Sequence, residues 1–178
     1  DIDTVKIVED VLANEINTEI VKSINDSGGN AIGLSGNVNK LISATKLKVE
    51  VKDSDSNIEK IVDIGFVGQP TDVNIDLINE HIQAGKIPVI APLGADKDKN
   101  SYNINADTAA GYIAGKLKAS KLLLLTDVAG VLGKDKNLIS SLTLDDAIKI
   151  TNEKFIVGGM KPKIATCINA MKNGFNKA

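Results

Sequence analysis

Ile87-Pro88-Val89-Ile90-Ala91-Pro92-Leu93-Gly94 is an unbroken apolar run of strand length. A strand that is apolar at every position is buried on both faces, which is the mark of a parallel sheet covered by helices. Pro88 must then lie near the strand's start, where a missing N–H is tolerated. Just upstream, Asn74 to Ala84 carries Ile75, Leu77, Ile78 and Ile82 at helical spacing, and Gly85 suits its C-terminal cap. Just downstream, a charged loop tip from Ala95 to Asn100 leads into Ser101-Tyr102-Asn103-Ile104-Asn105-Ala106-Asp107. Ala109, Ala110, Ile113, Ala114 and Leu117 then line a helix, on which Gly111 and Gly115 allow close approach to a sheet at a cost in helix propensity.

The same alternation continues outward. Thr4 to Leu12 and Asn14 to Asn25 have helical periodicity, and Ser27-Gly28-Gly29-Asn30 stops the second. Ala31 to Gly36 is a buried strand entering a glycine-rich turn, and Leu41 to Val51 gives one or two strands. Asp53 to Asn57 is a polar loop. Ile61 to Val67 is a strand that Gly68-Gln69-Pro70-Thr71-Asp72 should break. Leu122-Leu123-Leu124-Leu125 is the most apolar strand of all, Gly133 to Asn137 a turn, Leu142 to Ile150 a helix, and Lys163 to Met171 the last helix. Helices alternating with apolar strands predict an α/β fold with a mostly parallel sheet and helices on both faces. No internal repeat or linker divides the chain, so residues 1–178 are expected to form a single domain.

Composition narrows the function. Apolar residues make up 43% and charged residues 25%, with a formal net charge of -2. All 21 basic residues are lysines, and no Arg or Trp is present, which counts against nucleic-acid binding. Cys167 is the only cysteine, so no intrachain disulfide is possible, and its place among Ile164, Ile168 and Met171 marks a buried helix face. His81 is the only histidine, so neither a His metal cluster nor a spare His base exists. No run of about 18 apolar residues suggests a membrane span, and Asp1-Ile2-Asp3 is not a basic leader. A soluble chain in a reducing, cytoplasmic compartment is expected.

Ligands of open α/β sheets bind beyond the carboxyl ends of the strands. In an extended Ser101 to Asp107 segment, Asn103 and Asn105 would share one face, and Asp107 would fall in the first turn of the next helix. Local helix capping explains the same residue types. At Gly158-Gly159-Met160-Lys161-Pro162-Lys163, two glycines open a helix whose first turn holds Lys163. A cation there opposes the helix dipole unless an anion sits beside it, so the segment forms a candidate phosphate cradle. A solvated lysine beside a turn is the alternative. No Walker A sequence occurs.

Three segments resemble the signatures of the acetylglutamate kinases, a branch of the amino acid kinase superfamily. They are Tyr102 to Asp107, Leu124-Leu125-Thr126-Asp127-Val128-Ala129-Gly130-Val131, and Gly158 to Lys163. Gly33 to Gly36, Asp63 to Gly68 and Ile87 to Gly94 support them, in the family's order and spacing. The resemblance covers essentially the whole chain. It implies a three-layer α/β sandwich and ATP-dependent phosphorylation of the γ-carboxylate of N-acetyl-L-glutamate, a step of arginine biosynthesis. By motif match, Lys163 would neutralise the transferring phosphoryl group, Asp107 would orient the catalytic lysines, and Asn103 would hold the acetylglutamate. The nucleotide would contact Asp127, Val128, Ala129, Gly130, Val131 and Leu132, with Phe155, Ile156 and Val157 on the other wall. ATP would bring Mg2+ bridging its phosphates, since no all-protein metal cage is visible. A carboxylate acceptor is already ionised at neutral pH and needs no general base. The family also implies a homo-oligomer, dimer or higher.

Departures accompany the resemblance. The family's lysine-glycine-glycine segment, its second glycine-rich loop and a substrate-gripping arginine do not occur in this sequence, and its last strands and helix are missing after Asn173-Gly174-Phe175. The 178 residues therefore correspond to the central and nucleotide-binding portion, expected to have little or no kinase activity alone. The alternatives are an N-acetylaminoadipate, glutamate, carbamate or uridylate kinase, or a nucleotide-binding module without catalysis.

Overall fold

The computed structural model describes residues 2–52, 59–153, 155–156 and 158–172. The polar loop expected at Asp53 to Asn57, and Val157, lie outside them. The chain forms two compact units, Asp1–Ala106 and Asp107–Ala178.

Unit 1 begins with one helical run rather than two separate helices. α1 (Ile2–Glu9) passes through a wider π-type stretch (Asp10–Ile16) into α2 (Asn17–Asp26). The Asn17 N–H donates to the Leu12 carbonyl five residues back, so the added residue is absorbed without ending the helix. Neither Gly nor Pro occurs between Asp3 and Ser27, so nothing local stops it. β1 (Ala31–Ser35) follows, then β2 (Ile42–Lys52), β3 (Glu59–Val73), α3 (Ile75–Gln83), β4 (Ile87–Ala91), β5 (Leu93–Ala95) and β6 (Ser101–Ile104). The Asn74 side chain caps α3 by accepting from the Leu77 N–H, and Gly85, at φ +70°, turns the chain after it.

β1 and β4 form a parallel pair, with Ile32 opposite Pro88 and Ser35 opposite Ala91. The other four strands close on themselves in the order β2-β3-β6-β5. Parallel pairs (β2 with β5, β3 with β6) alternate with antiparallel ones around this ring. Two expectations are corrected here. The run Ile87 to Gly94 is not one strand buried on both faces. It changes sheets at Pro92, whose carbonyl accepts from the Ile104 N–H at 2.9 Å, and Ile87 is 48% exposed. Nor does Gly68 to Asp72 break β3, because Pro70 stands opposite Ala44, next to a register shift where no ladder N–H is required of it.

The core of unit 1 sits in and around the ring, where Leu41, Ile42, Leu93 and Ile104 are no more than 1% exposed. Gly36 lies so close to it that an added Cβ would fall 2.0 Å from the Leu93 carbonyl oxygen. Only glycine fits that approach.

Unit 2 contains α4 (Ala106–Leu117, entered at the boundary), α5 (Leu144–Thr151, capped by Thr143) and α6 (Met160–Lys172). Gly111 of α4 lets α6 come near: a Cβ there would meet the Thr166 methyl at 2.5 Å. Ala147, Ile156, Ile164 and Ile168 form the main buried cluster. Leu122 to Leu125 is not a strand. No described residue pairs with it, and half-buried Leu122 and Leu124 alternate with Leu123 and Leu125, 75% and 90% exposed. Its apolar composition promised burial, but a strand also needs a neighbour for its N–H and C=O groups. The Gly133 to Asn137 turn is present and brings Leu132 opposite Leu138. No helix among the described residues is long and apolar enough to cross a membrane.

Candidate functional site

Two of the singled-out residues meet directly. Asp107 is the second residue of α4, and Lys163 is the fourth of α6. The Lys163 Nζ donates to both carboxylate oxygens of Asp107, at 3.1 and 3.0 Å. The two side chains are 21% and 22% exposed, so the pair is partly withdrawn from water but still reachable. The sequence pattern called for a bound anion beside this cation at the start of α6; in the structure the anion beside Lys163 is the Asp107 carboxylate of the chain itself. At the first turn of its own helix, the carboxylate is favoured by the dipole as well. Both oxygens engage one ammonium, which fixes where the lysine's charge can sit and leaves it with donor capacity for an incoming ligand.

The approach to Lys163 is open. Gly158 has φ +59°, which favours glycine, and a Cβ on either Gly158 or Gly159 would meet no atom within 4 Å. A cavity of about 420 Å³ within unit 2 is lined by Leu122, Leu124, Gly130, Val131, Met160 and Lys163, among others. It is largely apolar, with one ammonium at its wall, a combination suited to a ligand with a flat apolar part and an anionic end. Cys167 also lines it. Burial, then the nearby Asp107 carboxylate, push the Cys167 thiol up from its usual pKa, so it is a poor nucleophile.

The remaining expected contacts divide. Gly130 and Val131 line the cavity, whereas Asp127, Val128 and Ala129 are exposed, with the Thr126 hydroxyl 3.4 Å from Asp127 Oδ1. Leu132 is half of the bridge to Leu138. Ile156, 3% exposed, belongs to the buried cluster, and Phe155 packs against it.

Asn103 belongs to unit 1, half-buried on β6 between Leu93 of β5 and Val67 of β3. The expectation that Asn103 and Asn105 share a strand face is corrected. β6 ends at Ile104, so Asn105 stands in the turn before α4, and the residue sharing Asn103's face is Ser101. Sequence reasoning missed what holds that face. The Asn37 amide donates to Ser101 Oγ at 3.0 Å and to Glu9 Oε1 at 2.7 Å, while its oxygen accepts from the Ser35 hydroxyl. Asn17, 5% exposed, donates to the carbonyl of Val89 at 2.9 Å and approaches that of Leu34, thereby tying α2 to β4 and β1. The available signal was a lone Asn between the apolar Ile16 and Ile20 of a helical pattern.

Residues 1–177 match the sequence model of the amino acid kinase family. An acetylglutamate kinase of Rhodospirillum centenum is 51% identical over 178 residues, which are 100% of this chain and 58% of that protein. The chain therefore spans little more than half the length of this relative. A solved structure from Streptococcus mutans superposes with a TM-score of 0.82 at 27% identity, covering 98% of this chain and 66% of that one. The N-acetylglutamate synthase of Neisseria gonorrhoeae, solved with coenzyme A and N-acetyl-glutamate, shares the fold at 20% identity and a TM-score of 0.78, over 98% of this chain and 37% of its own.

Proposed function

The chain belongs to the amino acid kinase family, and from that premise we propose that it is the central and nucleotide-binding portion of an acetylglutamate kinase. In the proposed reaction, a γ-carboxylate oxygen of N-acetyl-L-glutamate attacks the γ-phosphorus of ATP. The bond from that phosphorus to the β,γ-bridging oxygen breaks, and an acyl phosphate and ADP leave. The observation that carries the proposal is Lys163 at the Gly-Gly entrance of α6, held by both oxygens of Asp107. Phosphoryl transfer asks a protein for positioning and positive charge, and this pair supplies a lysine whose place is set before the ligand arrives.

The roles follow residue by residue. Lys163 neutralises charge on the transferring group. Asp107 holds the lysine and does not act as a base, because the acceptor carboxylate is already ionised. Asn103 binds the acetylglutamate. The Asp127 to Leu132 segment contacts the nucleotide, with Phe155, Ile156 and Val157 as its second wall. Magnesium enters as the Mg2+ complex of ATP. Among the described residues no group of three or more His, Cys, Asp or Glu could hold a metal, and the Asp107 carboxylate is engaged by Lys163. A place in arginine biosynthesis, a single domain over residues 1–178, a homo-oligomer and a cytoplasmic location belong to the same proposal.

Calorimetric titration of Mg-ATP into the chain tests the nucleotide contact. Saturable binding is expected, weakened at least about tenfold in Lys163→Ala, as loss of a charge-assisted contact implies. Equal affinity in the mutant refutes the assigned contact. The acceptor is tested by ADP release with N-acetylglutamate, glutamate and carbamate, in any longer chain that contains these residues.

A further inference from the structure

A second concavity lies wholly within unit 1 and plays no part in the roles assigned above. Its volume is about 970 Å³. The β1–β2 loop lines one side with Asn37, Asn39 and Lys40, and the β5–β6 turn lines another with Asp96, Lys97 and Lys99. The floor includes Ser43 and Thr45 of β2, which alternate with Ile42 and Ala44, buried at 0% and 2%.

The charges around it are unbalanced. Lys46, also on the wall, is committed to Asp63 at 2.7 Å. Lys40, Lys97 and Lys99 have no carboxylate partner among the described residues. Among the described residues that line it, Asp96 is the one carboxylate, and its oxygens already accept from the Asp98 and Asn100 N–H groups, the Asn100 amide and the Tyr102 hydroxyl. Three lysines against that single saturated carboxylate leave a positive hollow on a chain whose net charge is -2.

The backbone of both loops is also unusual. Asn39 and Lys40 have φ +54° and Lys99 φ +65°. Among the described residues only five non-glycine positions are left-handed, and three of them line this one cavity. Such conformations are disfavoured for residues with a Cβ and gather at functional loops. Here they carry two of the three unpaired lysines. Asn37, tied to Glu9 and Ser101, keeps the wall in place.

We propose that this hollow binds a small multivalent oxyanion, a molecule with two or more phosphate or carboxylate groups. Lysines on two different loops call for a ligand that can reach both, and the space exceeds what one inorganic phosphate would fill. Hydroxyls of Ser43 and Thr45 and the amide of Asn39 offer the neutral hydrogen bonds that an oxyanion accepts, while both amide hydrogens of Asn37 are already given to Glu9 and Ser101.

The test is an NMR titration of the chain with inorganic pyrophosphate and, separately, with citrate, at about physiological ionic strength. The backbone amides of Asn39, Ser43 and Thr45 are expected to shift saturably with one or both probes. A response to pyrophosphate alone identifies a phosphate-bearing ligand. A response to citrate alone identifies a polycarboxylate. The double variant Lys97→Ala, Lys99→Gly should weaken the response at least about tenfold. Glycine suits the left-handed backbone at Lys99, so the variant does not strain the turn. Lys40→Gly tests the opposite loop in the same manner. The shifts should persist in Lys163→Ala, which separates this site from the nucleotide contact in unit 2. Absence of saturable shifts at these amides, shifts indifferent to the lysine variants, or dependence on Lys163 overturns the proposal. Failure of the Mg-ATP experiment leaves it standing.

Discussion

Leu41, Ile42, Leu93 and Ile104 of unit 1 are at most 1% exposed, whereas Leu123 and Leu125 of unit 2 are 75% and 90% exposed. Leu93, Leu123 and Leu125 stand in continuous apolar runs that the pattern assigns to buried strands, Leu41 and Ile42 in a segment read as strand, and Ile104 in the extended segment after the loop tip. In unit 1 each segment found partners: β2 pairs with β3 and β5, and β6 pairs with β3 and β5. In unit 2 the segment has no strand partner among the described residues, and the organising contacts are helix on helix, with a charge pair between α4 and α6. Apolar composition therefore sets a demand for burial, and pairing decides whether the demand is met. One unit keeps its order through a closed ring and a dense core. The other holds Lys163 in place with a carboxylate.

The sharpest way to break this contrast is to cut into the ring. Ile42, fully buried, should cost about 2–5 kcal/mol when replaced by Ala, through lost apolar burial plus the cavity left behind. Denaturant unfolding followed by circular dichroism reads the change. A loss below about 1 kcal/mol would mean that the ring is not where unit 1 stores its stability.

The charge pair should matter less to stability and more to binding. A double-mutant cycle over Asp107→Ala and Lys163→Ala should give a coupling of about 1–2 kcal/mol, above exposed pairs and below fully buried ones, as side chains about one-fifth exposed suggest. The same cycle read through Mg-ATP affinity should show that Asp107→Ala weakens binding even though Asp107 would not itself contact the nucleotide. A coupling near zero by both readouts would mean that the observed contact does not organise Lys163.

The legible parts of the sequence were those set by local rules. The helix over Asn74 to Ala84, the stop at Gly85 and the Gly133 turn follow from single residues and their neighbours. Helix electrostatics called for a bound anion beside Lys163, whereas the neighbour that the structure provides is Asp107, 56 residues away in sequence, which the family resemblance linked to a lysine. What local rules could not supply was the partner of each strand. Ile87 to Gly94 divides between two sheets because the chain turns at Pro92, a tertiary event that no periodicity encodes. The Asn37 hub escaped notice for a similar reason. An Asn two residues after a strand is ordinary turn chemistry, and its importance lies in reaching Glu9 and Ser101 at once.

The smallest expected effect tests the other half of the contrast. Leu125→Ala should change unfolding free energy by no more than about 0.5 kcal/mol, because a side chain 90% exposed has little burial to lose. The same substitution at Ile42 removes a side chain with no exposure at all. If both cost several kcal/mol, Leu125 is buried in solution by something that pairs with or covers its segment. Size-exclusion chromatography across a concentration series then separates the sources: a shift in elution that Leu125→Asp abolishes assigns the cover to a second copy of the chain, and a constant elution volume assigns it to the chain itself. A small cost at Leu125 beside a large one at Ile42 instead establishes that pairing, rather than apolarity, divides the two units.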